Sequence, residues 1–406
     1  MNSMTDKPLK GVKVIDFGIH GAGSSCGKTL ADWGADVIKV EAPKGDASRM
    51  SGMQLGLPCT EEDNIHFEMI NGNKRSIVIN MKTDEGKAIM ERMLGSANIF
   101  FSNMRLSALE KMGLDYEGMS QRHPHIIWGH LSGYGTEGPR AKEPGFDVVS
   151  YWASTGLLLD LTEDGYAPNT SPFGVGDLAA GAMLAGGLAA CLYQQATTGK
   201  GEKVMNSLYG HAIWTAGCLM QSTSRGDRFP KSRKRAISPF SNSYRCRDEW
   251  FFIAVMDYAG KFPALCRMIG QDELARDPRY ATLEAAQANE AELIDIFDAY
   301  FAQHDWAEVD ASLTELDIAH NRIAHFADLA QDEQARANGY IYSFRARSGR
   351  EDLIAATPIK FGANEANEHR NAPLLGENTL EVLREYGYSD AEIQALLQAH
   401  VVYAHK

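Results

Sequence analysis

Three features are scarce in this sequence of 406 residues: paired cysteines, positive charge and long apolar runs. Its six cysteines include no Cys-x-x-Cys pair, which argues against a disulfide framework or a zinc knuckle. The 40 Lys and Arg against 53 Asp and Glu give a formal net charge of −13, which disfavours a dedicated nucleic-acid binder. We find no uninterrupted run of about 18 apolar residues, as a membrane span requires, and no apolar signal core at the N-terminus. These absences predict a cytoplasmic protein with neither nucleic acid nor a membrane as partner.

The composition that remains is that of a globular protein, with 44% apolar and 23% charged residues. The length predicts one large composite domain or two domains. Short apolar segments alternate with helical ones in the first third of the chain, which predicts a doubly wound α/β sheet of parallel strands. We predict strands over 11–18, 35–41, 98–101 and 125–131, and helices over 24–33 and 87–94.

Beyond this region, residues 178–195 are rich in Ala, Gly and Leu and predict a buried core helix of small residues. A basic, proline-containing segment at 224–238 is typical of a linker. It precedes a smaller unit that ends near Asp328. There we predict strands within 244–255 and helices over 260–270 and 288–302, followed near the C-terminus by a strand over 358–361 and a helix over 379–386.

The segment from Ala22 to Thr29 is almost a phosphate-binding P-loop, because it follows a strand, is rich in glycine and ends in Lys28-Thr29. Ala22 replaces the first glycine of that motif, and no apolar run ending in a magnesium-binding Asp follows. A nucleotide-binding protein is therefore an alternative interpretation, and an ordinary glycine-rich turn between strand and helix is favoured.

Two other kinds of site find little support. Ser132 lacks the Gly-x-Ser-x-Gly elbow of a nucleophilic serine. The pairs His123/His125 and His320/His325 have no carboxylate or thiol partners at ligand spacing, so we predict no metal site.

Asp177 is the carboxylate with the most unusual setting, since it follows Gly174 and Gly176 at the start of the Ala/Gly-rich helix. An Asp in that place most often caps the helix N-terminus, and the residues alone favour this role. The alternative is a functional carboxylate, stabilised as an anion by the helix and approached closely by a ligand across the glycines.

A series of motifs resembles the family III CoA-transferases, the formyl-CoA transferase-like group. They cover about the first 210 and the last 50 residues, in the family's order. They are L-x-G-V-K-V-I-D-F (9–17), A-D-W-G-A-D-V-I-K-V-E (31–41), N-G-N-K-R-S-I (71–77), M-K-T-D-E-G-K (81–87), L-E-K-M-G-L (109–114), S-G-Y-G-T-E-G-P (132–139), P-G-F-D (144–147), G-V-G-D (174–177), T-G-K-G-E (198–202) and A-P-L-L-G-E-N-T-L-E-V-L-R-E-Y-G-Y-S-D-A-E-I (372–393).

The resemblance implies an interlocked homodimer. Each chain would have a discontinuous, Rossmann-like large domain (1–223 and 329–406) interrupted by a linker and a smaller α+β domain (224–328). It also implies transfer of CoA from an acyl-CoA to a free carboxylic acid. The Asp of the Gly-Asp motif is the nucleophile in that family, and it falls on Asp177, which reverses the preference for a helix cap. CoA is then a substrate, and no permanently bound cofactor or metal is required.

Position by position, the resemblance assigns CoA contacts to His20, Gly21, Ala22, Ile79, Lys82, Asn103, Met104, Lys111 and Phe146. It also shows departures: Gly21 replaces the glutamine of the formyl-CoA enzymes, Ala42 stands where those enzymes have a CoA-contacting Arg, and Pro144 replaces a Lys. Lys44, Arg49 or the basic run at 231–235 are candidates to replace them.

Two other functions of the same fold stay open: an acyl-CoA racemase and a non-catalytic CoA-binding protein. The racemases have a histidine base where this chain has Phe146, which cannot move a proton. Residues 238–244 lack the glycine run of the formyl-CoA branch, and their P-x-x-N-x-Y pattern is closer to transferases of anaerobes that act on 2-hydroxy acids in amino-acid fermentation. We therefore expect an aryl or branched-alkyl 2-hydroxy acid as the acceptor and the corresponding enoyl-CoA as the donor.

Overall fold

Twelve strands and fifteen α-helices are found in a computed structural model that describes residues 7–169, 173–235, 238–362 and 369–405. The strands are β1 (Lys13–Phe17), β2 (Asp36–Glu41), β3 (Arg75–Ile79), β4 (Ile99–Ser102), β5 (Ile127–Ser132), β6 (Lys203–Ser207), β7 (Ser241–Arg245), β8 (Trp250–Ala254), β9 (Ala319–Arg322), β10 (Ile341–Arg345), β11 (Glu351–Ala355) and β12 (Val402–Tyr403). The helices are α1 (His20–Asp32), α2 (Ile65–Asn71), α3 (Asp84–Leu94), α4 (Leu106–Lys111), α5 (Tyr116–Arg122), α6 (Val175–Thr198), α7 (Leu208–Thr215), α8 (Gly217–Thr223), α9 (Tyr258–Met268), α10 (Leu283–Ala288), α11 (Glu290–Phe301), α12 (Trp306–Glu315), α13 (Glu333–Ala337), α14 (Thr379–Glu385) and α15 (Asp390–Gln398).

The chain divides into two units, both discontinuous in sequence. The first comprises Met1–Leu157, Ser171–Gln221 and Glu333–Lys406, and the second Leu158–Thr170 and Ser222–Asp332. The sequence did not predict that the short stretch before Thr170 belongs with the second unit.

The first unit is built on a seven-stranded sheet of order β12-β3-β2-β1-β4-β5-β6, in which only β12 is antiparallel. Its central strands are runs of Val, Ile and Phe that are buried on both faces, as expected when helices cover both sides of a parallel sheet. This confirms the predicted mixed α/β class. Because the strands are parallel, the loops after β3, β2, β1 and β4 all leave from the same edge of the sheet.

Helices α1 and α6 contact each other closely on one face of this sheet because small residues line their interface. A Cβ atom added to Gly181 would lie 2.0 Å from the Ser25 hydroxyl oxygen. The same hydroxyl donates to the carbonyl of Asp177 at 3.0 Å. The start of α6 is thereby fixed beside the start of α1.

Helix α6 is only partly the buried core helix that the sequence predicts. One face contacts α1, β5 and β6, while Leu178 and Met183 are exposed. By length and by its mean hydropathy of 1.6 it could also cross a membrane, with a third (33%) of its most apolar stretch buried.

The second unit has its own core around the antiparallel sheet β7-β8-β9. Phe240 and Tyr244, from the segment 238–244 that lacks the glycine run, are fully buried in this core, and Tyr244 donates to the carbonyl of Pro239 at 2.7 Å. The basic segment is also part of this unit, since Arg233 binds Asp298 and Lys234 binds Asp295. It is therefore not a free linker.

Two predictions about local structure are wrong. Residues 22–29 form neither the favoured turn nor the alternative P-loop, because they lie inside α1, which begins at His20, and from Ser24 onward their amides are hydrogen-bonded along that helix. Lys28 is buried and ion-paired with Asp32 at 2.5 Å. Residues 358–361 form no strand, and the segment that pairs as a strand in this region is β11.

Candidate active site

The turn between β1 and α1 is held from two sides. The Asn103 side chain accepts from the Ile19 amide at 2.8 Å and donates to the Ile19 carbonyl at 2.7 Å. The His20 amide donates to Asp46 Oδ1 at 3.0 Å. His20 has a φ of 56°, which a non-glycine residue adopts only when its surroundings impose it. Asn103 is itself predicted as a CoA contact. In the structure it positions the turn that carries the predicted contacts His20, Gly21 and Ala22.

Buried ion pairs lie beneath this turn. Lys39 binds Asp46 at 2.7 Å, Lys74 binds Asp16 at 2.8 Å, and all four side chains are buried. Burial opposes ionisation of Asp46, but the Lys39 ammonium outweighs it and holds the pKa of that carboxyl well below its usual range. Burial lowers the pKa of Lys74 to about 8, although Asp16 works in the opposite direction.

Asp177 lies in the first turn of α6 and is not its cap. The N-cap is Gly174, in the left-handed region at φ 74°, and no side chain caps this helix end. A Cβ atom at Gly21 would lie 2.2 Å from Asp177 Oδ2, so a side chain at this position would have to displace the carboxylate. The structure therefore brings Asp177 against the predicted contact Gly21, with its carboxylate available for chemistry.

A second carboxylate, Asp147, approaches the same helix end. It is 5% exposed, and neither of its oxygens makes a hydrogen bond of normal geometry with any described residue. A Cβ atom at Gly176 would lie 2.2 Å from Asp147 Oδ1 and 2.4 Å from the Tyr151 ring. Glycine at 176 thus lets Asp147 approach the residue next to Asp177.

Both carboxyls are shifted toward their neutral forms. Burial, with a further contribution from the charge of Asp147, raises the pKa of Asp177 to about 7. Burial raises the pKa of Asp147 to about 6, against the opposing effect of the Gly174 and Gly176 amides. The pair is therefore partly protonated near neutral pH, unlike the buried carboxylates beneath the His20 turn.

Asp147 belongs to the P-G-F-D motif, but the sequence does not assign it a role. Its signal was weak, because nothing in the sequence shows that a residue thirty positions before Asp177 lies beside it. Phe146, its neighbour, is exposed and its ring meets the His20 ring edge-on with centroids 5.7 Å apart.

The other predicted CoA contacts are spread along the carboxyl edge of the sheet. Ala22 is buried in α1, and the Ile79 side chain is fully buried in the core, so neither presents a side chain to solvent. The Met104 carbonyl accepts from His130 Nε2 at 2.8 Å. Lys82 and Lys111 are exposed; Lys82 lies three residues beyond the end of β3, and Lys111 is the last residue of α4. Among the described residues, no group of three or more His, Cys, Asp or Glu could hold a metal ion.

The chain is similar to known proteins over nearly its whole length. The model of the family "CoA-transferase family III" matches residues 9–379. The chain is 35% identical to a (R)-2-hydroxy-4-methylpentanoate CoA-transferase of Clostridioides difficile, over 97% of this chain and 99% of that protein. It is also 35% identical to a cinnamoyl-CoA:phenyllactate CoA-transferase of Clostridium sporogenes, over 96% and 95%. A crystal structure of a CAIB/BAIF family protein from Brucella suis superposes with a TM-score of 0.79 at 29% identity, covering 94% of this chain and 100% of that chain.

The match extends over nearly the whole length of the chain and of these relatives. The matched residues include the strands and the helices that form the candidate site. The chain belongs to the family III CoA-transferases and is an enzyme of that class.

Proposed function

We propose that this enzyme transfers CoA to the carboxylate of a 2-hydroxy acid through a covalent thioester on Asp177. The position of this carboxylate carries the proposal. It lies against Gly21 at a helix end that no side chain caps, and it has no cationic partner among the described residues. A nucleophilic carboxylate must be accessible and poorly solvated, and a salt bridge would quench it.

The reaction balances without any other reactant. Asp177 attacks the thioester carbonyl of the donor, forming a mixed anhydride and releasing the CoA thiolate. The thiolate attacks the Asp177 carbonyl, forming an aspartyl-CoA thioester and releasing the donor acid. The acceptor carboxylate then attacks this thioester, forming a second mixed anhydride and releasing the CoA thiolate. The thiolate attacks the acceptor acyl carbon of that anhydride, which forms the new acyl-CoA and releases the Asp177 carboxylate.

The surroundings of Asp177 suit these steps. Asp177 lies in the first turn of α6, and the N-terminus of a helix stabilises negative charge such as develops on the anhydride and thioester carbonyl oxygens. Burial limits access of water, which would otherwise hydrolyse both intermediates. Asp147 raises the pKa of its neighbour and thereby the basicity of the nucleophile.

The assignment of CoA contacts to His20, Gly21, Ala22 and Phe146 is part of the proposal. Gly21 at the beginning of α1 lies against Asp177, where the thioester would react, and the Phe146 ring contacts the neighbouring His20 ring. Lys82 and Lys111 would meet the phosphates, Met104 the adenosine, and Ile79 would act through its backbone because its side chain is in the core.

An aryl or branched-alkyl 2-hydroxy acid is the acceptor class we propose, with the matching enoyl-CoA as donor. Two relatives with 35% identity are named for 4-methyl-2-hydroxypentanoate and phenyllactate, which carry such side chains. Near Asp177, Phe146 and Val149 are exposed apolar side chains that could contact them.

We also propose a cytoplasmic homodimer. Helix α6 and its neighbours leave Leu178, Met183 and Trp214 exposed, and a surface of this kind is typical of a subunit interface. Light scattering of the purified chain tests this, and a monomer at micromolar concentration would contradict it.

A panel assay tests the function. The enzyme is incubated with cinnamoyl-CoA or a branched enoyl-CoA and with phenyllactate, 4-methyl-2-hydroxypentanoate, oxalate, succinate or carnitine, and each new acyl-CoA is identified by mass. We expect transfer to the 2-hydroxy acids, and transfer only to oxalate, succinate or carnitine would reject the acceptor class. Deuterium incorporation at the α-carbon without transfer would indicate a racemase, and binding without transfer a non-catalytic protein.

A further inference from the structure

The loop that follows β5 closes on itself at two glycines, and we call residues 133–145 the β5 loop. A Cβ atom added to Gly133 would lie 2.6 Å from Gly145 Cα, and one added to Gly145 would lie 2.5 Å from Gly133 Cα. Neither glycine has a positive φ, so the close approach of the two backbones is what excludes a side chain at either position. The Tyr209 amide donates to the Gly133 carbonyl at 2.9 Å, which fixes the start of the loop to α7. Both glycines belong to family motifs, but neither has a role in the proposed reaction so far.

The β5 loop also contacts the turn that carries the second carboxylate of the site. Asp147 begins a single wide helical turn of the π type, a rare structure that is often found at functional sites. Gly145 stands two residues before this turn. Arg140 of the loop donates to the hydroxyl of Ser154, which ends the turn, at 3.3 Å, and its guanidinium lies over the Tyr134 ring at 3.7 Å. The loop therefore holds the turn at both of its ends.

Asp147 is not held in place by its own side chain. Its carboxylate is buried and makes no hydrogen bond of normal geometry with any described residue. A buried carboxylate without a partner favours any movement that returns it to water. Asp46, by contrast, is anchored by Lys39 at 2.7 Å. The restraint on Asp147 must therefore come from the backbone on either side of it, and the β5 loop contacts that backbone.

We propose that Gly133, Gly145 and Arg140 are positioning residues of the transfer reaction, which keep Asp147 at the start of α6, where its charge acts on Asp177. The inference rests on the proposed role of Asp177 as the nucleophile. A side chain at either glycine would push the two backbones apart and move Asp147 away from the start of α6. Burial raises the pKa of Asp177, and the charge of Asp147 raises it further. The β5 loop thus influences the pH at which the nucleophile ionises.

The acid limb of the kcat/KM profile of the full chain tests the proposal, because it reports ionisation of Asp177 in the free enzyme. We expect Gly145→Ala and Arg140→Ala each to move this limb to lower pH by about half a unit, in the same direction as Asp147→Asn. Neither should move it further when Asp147→Asn is already present, since the loop acts through that carboxylate. Arg140→Lys keeps a charged donor and should move the limb less than Arg140→Ala.

Two variants serve as matched controls. A Cβ atom at Gly186 in α6 meets nothing within 4 Å, and Lys142 is an exposed residue of the same loop, so Gly186→Ala and Lys142→Ala should leave the acid limb in place. Should Gly145→Ala fail to fold, the Arg140 variants decide the question alone.

Acid limbs of Gly145→Ala and Arg140→Ala that coincide with those of the controls would overturn the proposal and leave the function of Asp177 intact. Shifts of undiminished size in the Asp147→Asn background would also overturn it, since the loop would then act on Asp177 by another route. Failure of the unsubstituted enzyme to form a CoA adduct on Asp177 would instead reject the proposed function itself.

Discussion

Two groups of buried carboxylates in the same unit behave in opposite ways. Asp16, Asp46 and Glu41 beneath the His20 turn are each bound to a cation, whereas Asp147 and Asp177 at the start of α6 have none among the described residues. Pairing lowers the pKa of Asp46 and Glu41, and burial without pairing raises those of Asp147 and Asp177 to about 6 and about 7.

The difference separates a structural use of carboxylates from a chemical one. An ion-paired carboxylate is a poor nucleophile, but it fixes the backbone: Asp46 binds the His20 amide as well as Lys39. An unpaired buried carboxylate destabilises the fold and retains its reactivity. The paired group thus holds the turn against which the unpaired Asp177 reacts.

The largest effect on CoA transfer is expected from substitution of the unpaired Asp177. Asp177→Asn removes the nucleophile, and transfer should fall by at least about 10³-fold, as for other nucleophile substitutions. Because the substitution also removes an unpaired buried charge, the melting temperature at neutral pH should stay the same or rise. Steady-state transfer and calorimetry measure both, and retention of more than a tenth of the activity would be incompatible with covalent catalysis by this residue.

The paired group should show the reverse pattern, a loss of stability. Lys74→Met leaves Asp16 buried without its cation, which typically costs about 3–5 kcal/mol. Adding Asp16→Asn should restore part of this, because the unpaired charge is then gone. The control is Lys87→Met, which removes only an exposed ion pair with Asp84. Chemical denaturation measures the unfolding midpoint of each variant. Equal midpoints for the two lysine variants would show that the buried pair is not structural.

Gly21→Ala tests the space beside the unpaired carboxylate. The added methyl group would lie 2.2 Å from Asp177 Oδ2 and must displace it, so we expect kcat to fall about 10²-fold, as for displacements of about 1 Å in other active sites. Gly186→Ala in α6, where an added Cβ atom meets nothing within 4 Å, is the control. Similar rates in the two variants would argue against a crowded nucleophile.

The smallest effect is expected from Asp147→Asn. Removing its charge lowers the pKa of Asp177, so the acid limb of the kcat/KM profile should move to lower pH by about half a unit to one unit. A carboxyl whose pKa is raised in the folded state destabilises the protein increasingly from its unfolded value of 3.8 up to about 6, and by the full amount at every pH above that. The variant should therefore melt about 2 °C higher at pH 8 and equally at pH 3.5. An unchanged acid limb would disprove the coupling between the two carboxyls.

Much of the large sheet could be predicted, because β1, β2, β4 and β5 are apolar runs bounded by turn residues. β3 was not predicted, since Arg75 and Ser76 interrupt its apolar pattern, and their side chains are satisfied only by distant groups such as Asp36 and Glu41. The P-loop-like segment was misassigned for a related reason. Gly23 and Gly27 let α1 approach Asn103 and Asp16 closely, and Ser25 contacts Gly181 of α6, none of which local patterns reveal.

Of the candidate site, the sequence identified Asp177 only through family resemblance, because an Asp near a helix start is ordinarily a cap. The structure shows that Gly174 takes the cap position, which leaves the carboxylate free. Asp147 could not be predicted, since its role depends on contact with a helix end thirty residues away.

The most direct test of the account is to trap the covalent intermediate. The enzyme is mixed with acyl-CoA without acceptor, quenched in acid, digested and mapped by mass spectrometry. We predict a mass increase of one CoA less one water on the peptide that carries Asp177, absent in Asp177→Asn and discharged when a 2-hydroxy acid is added before the quench. An adduct on another residue, or full transfer activity with no adduct formed at any time, would contradict it.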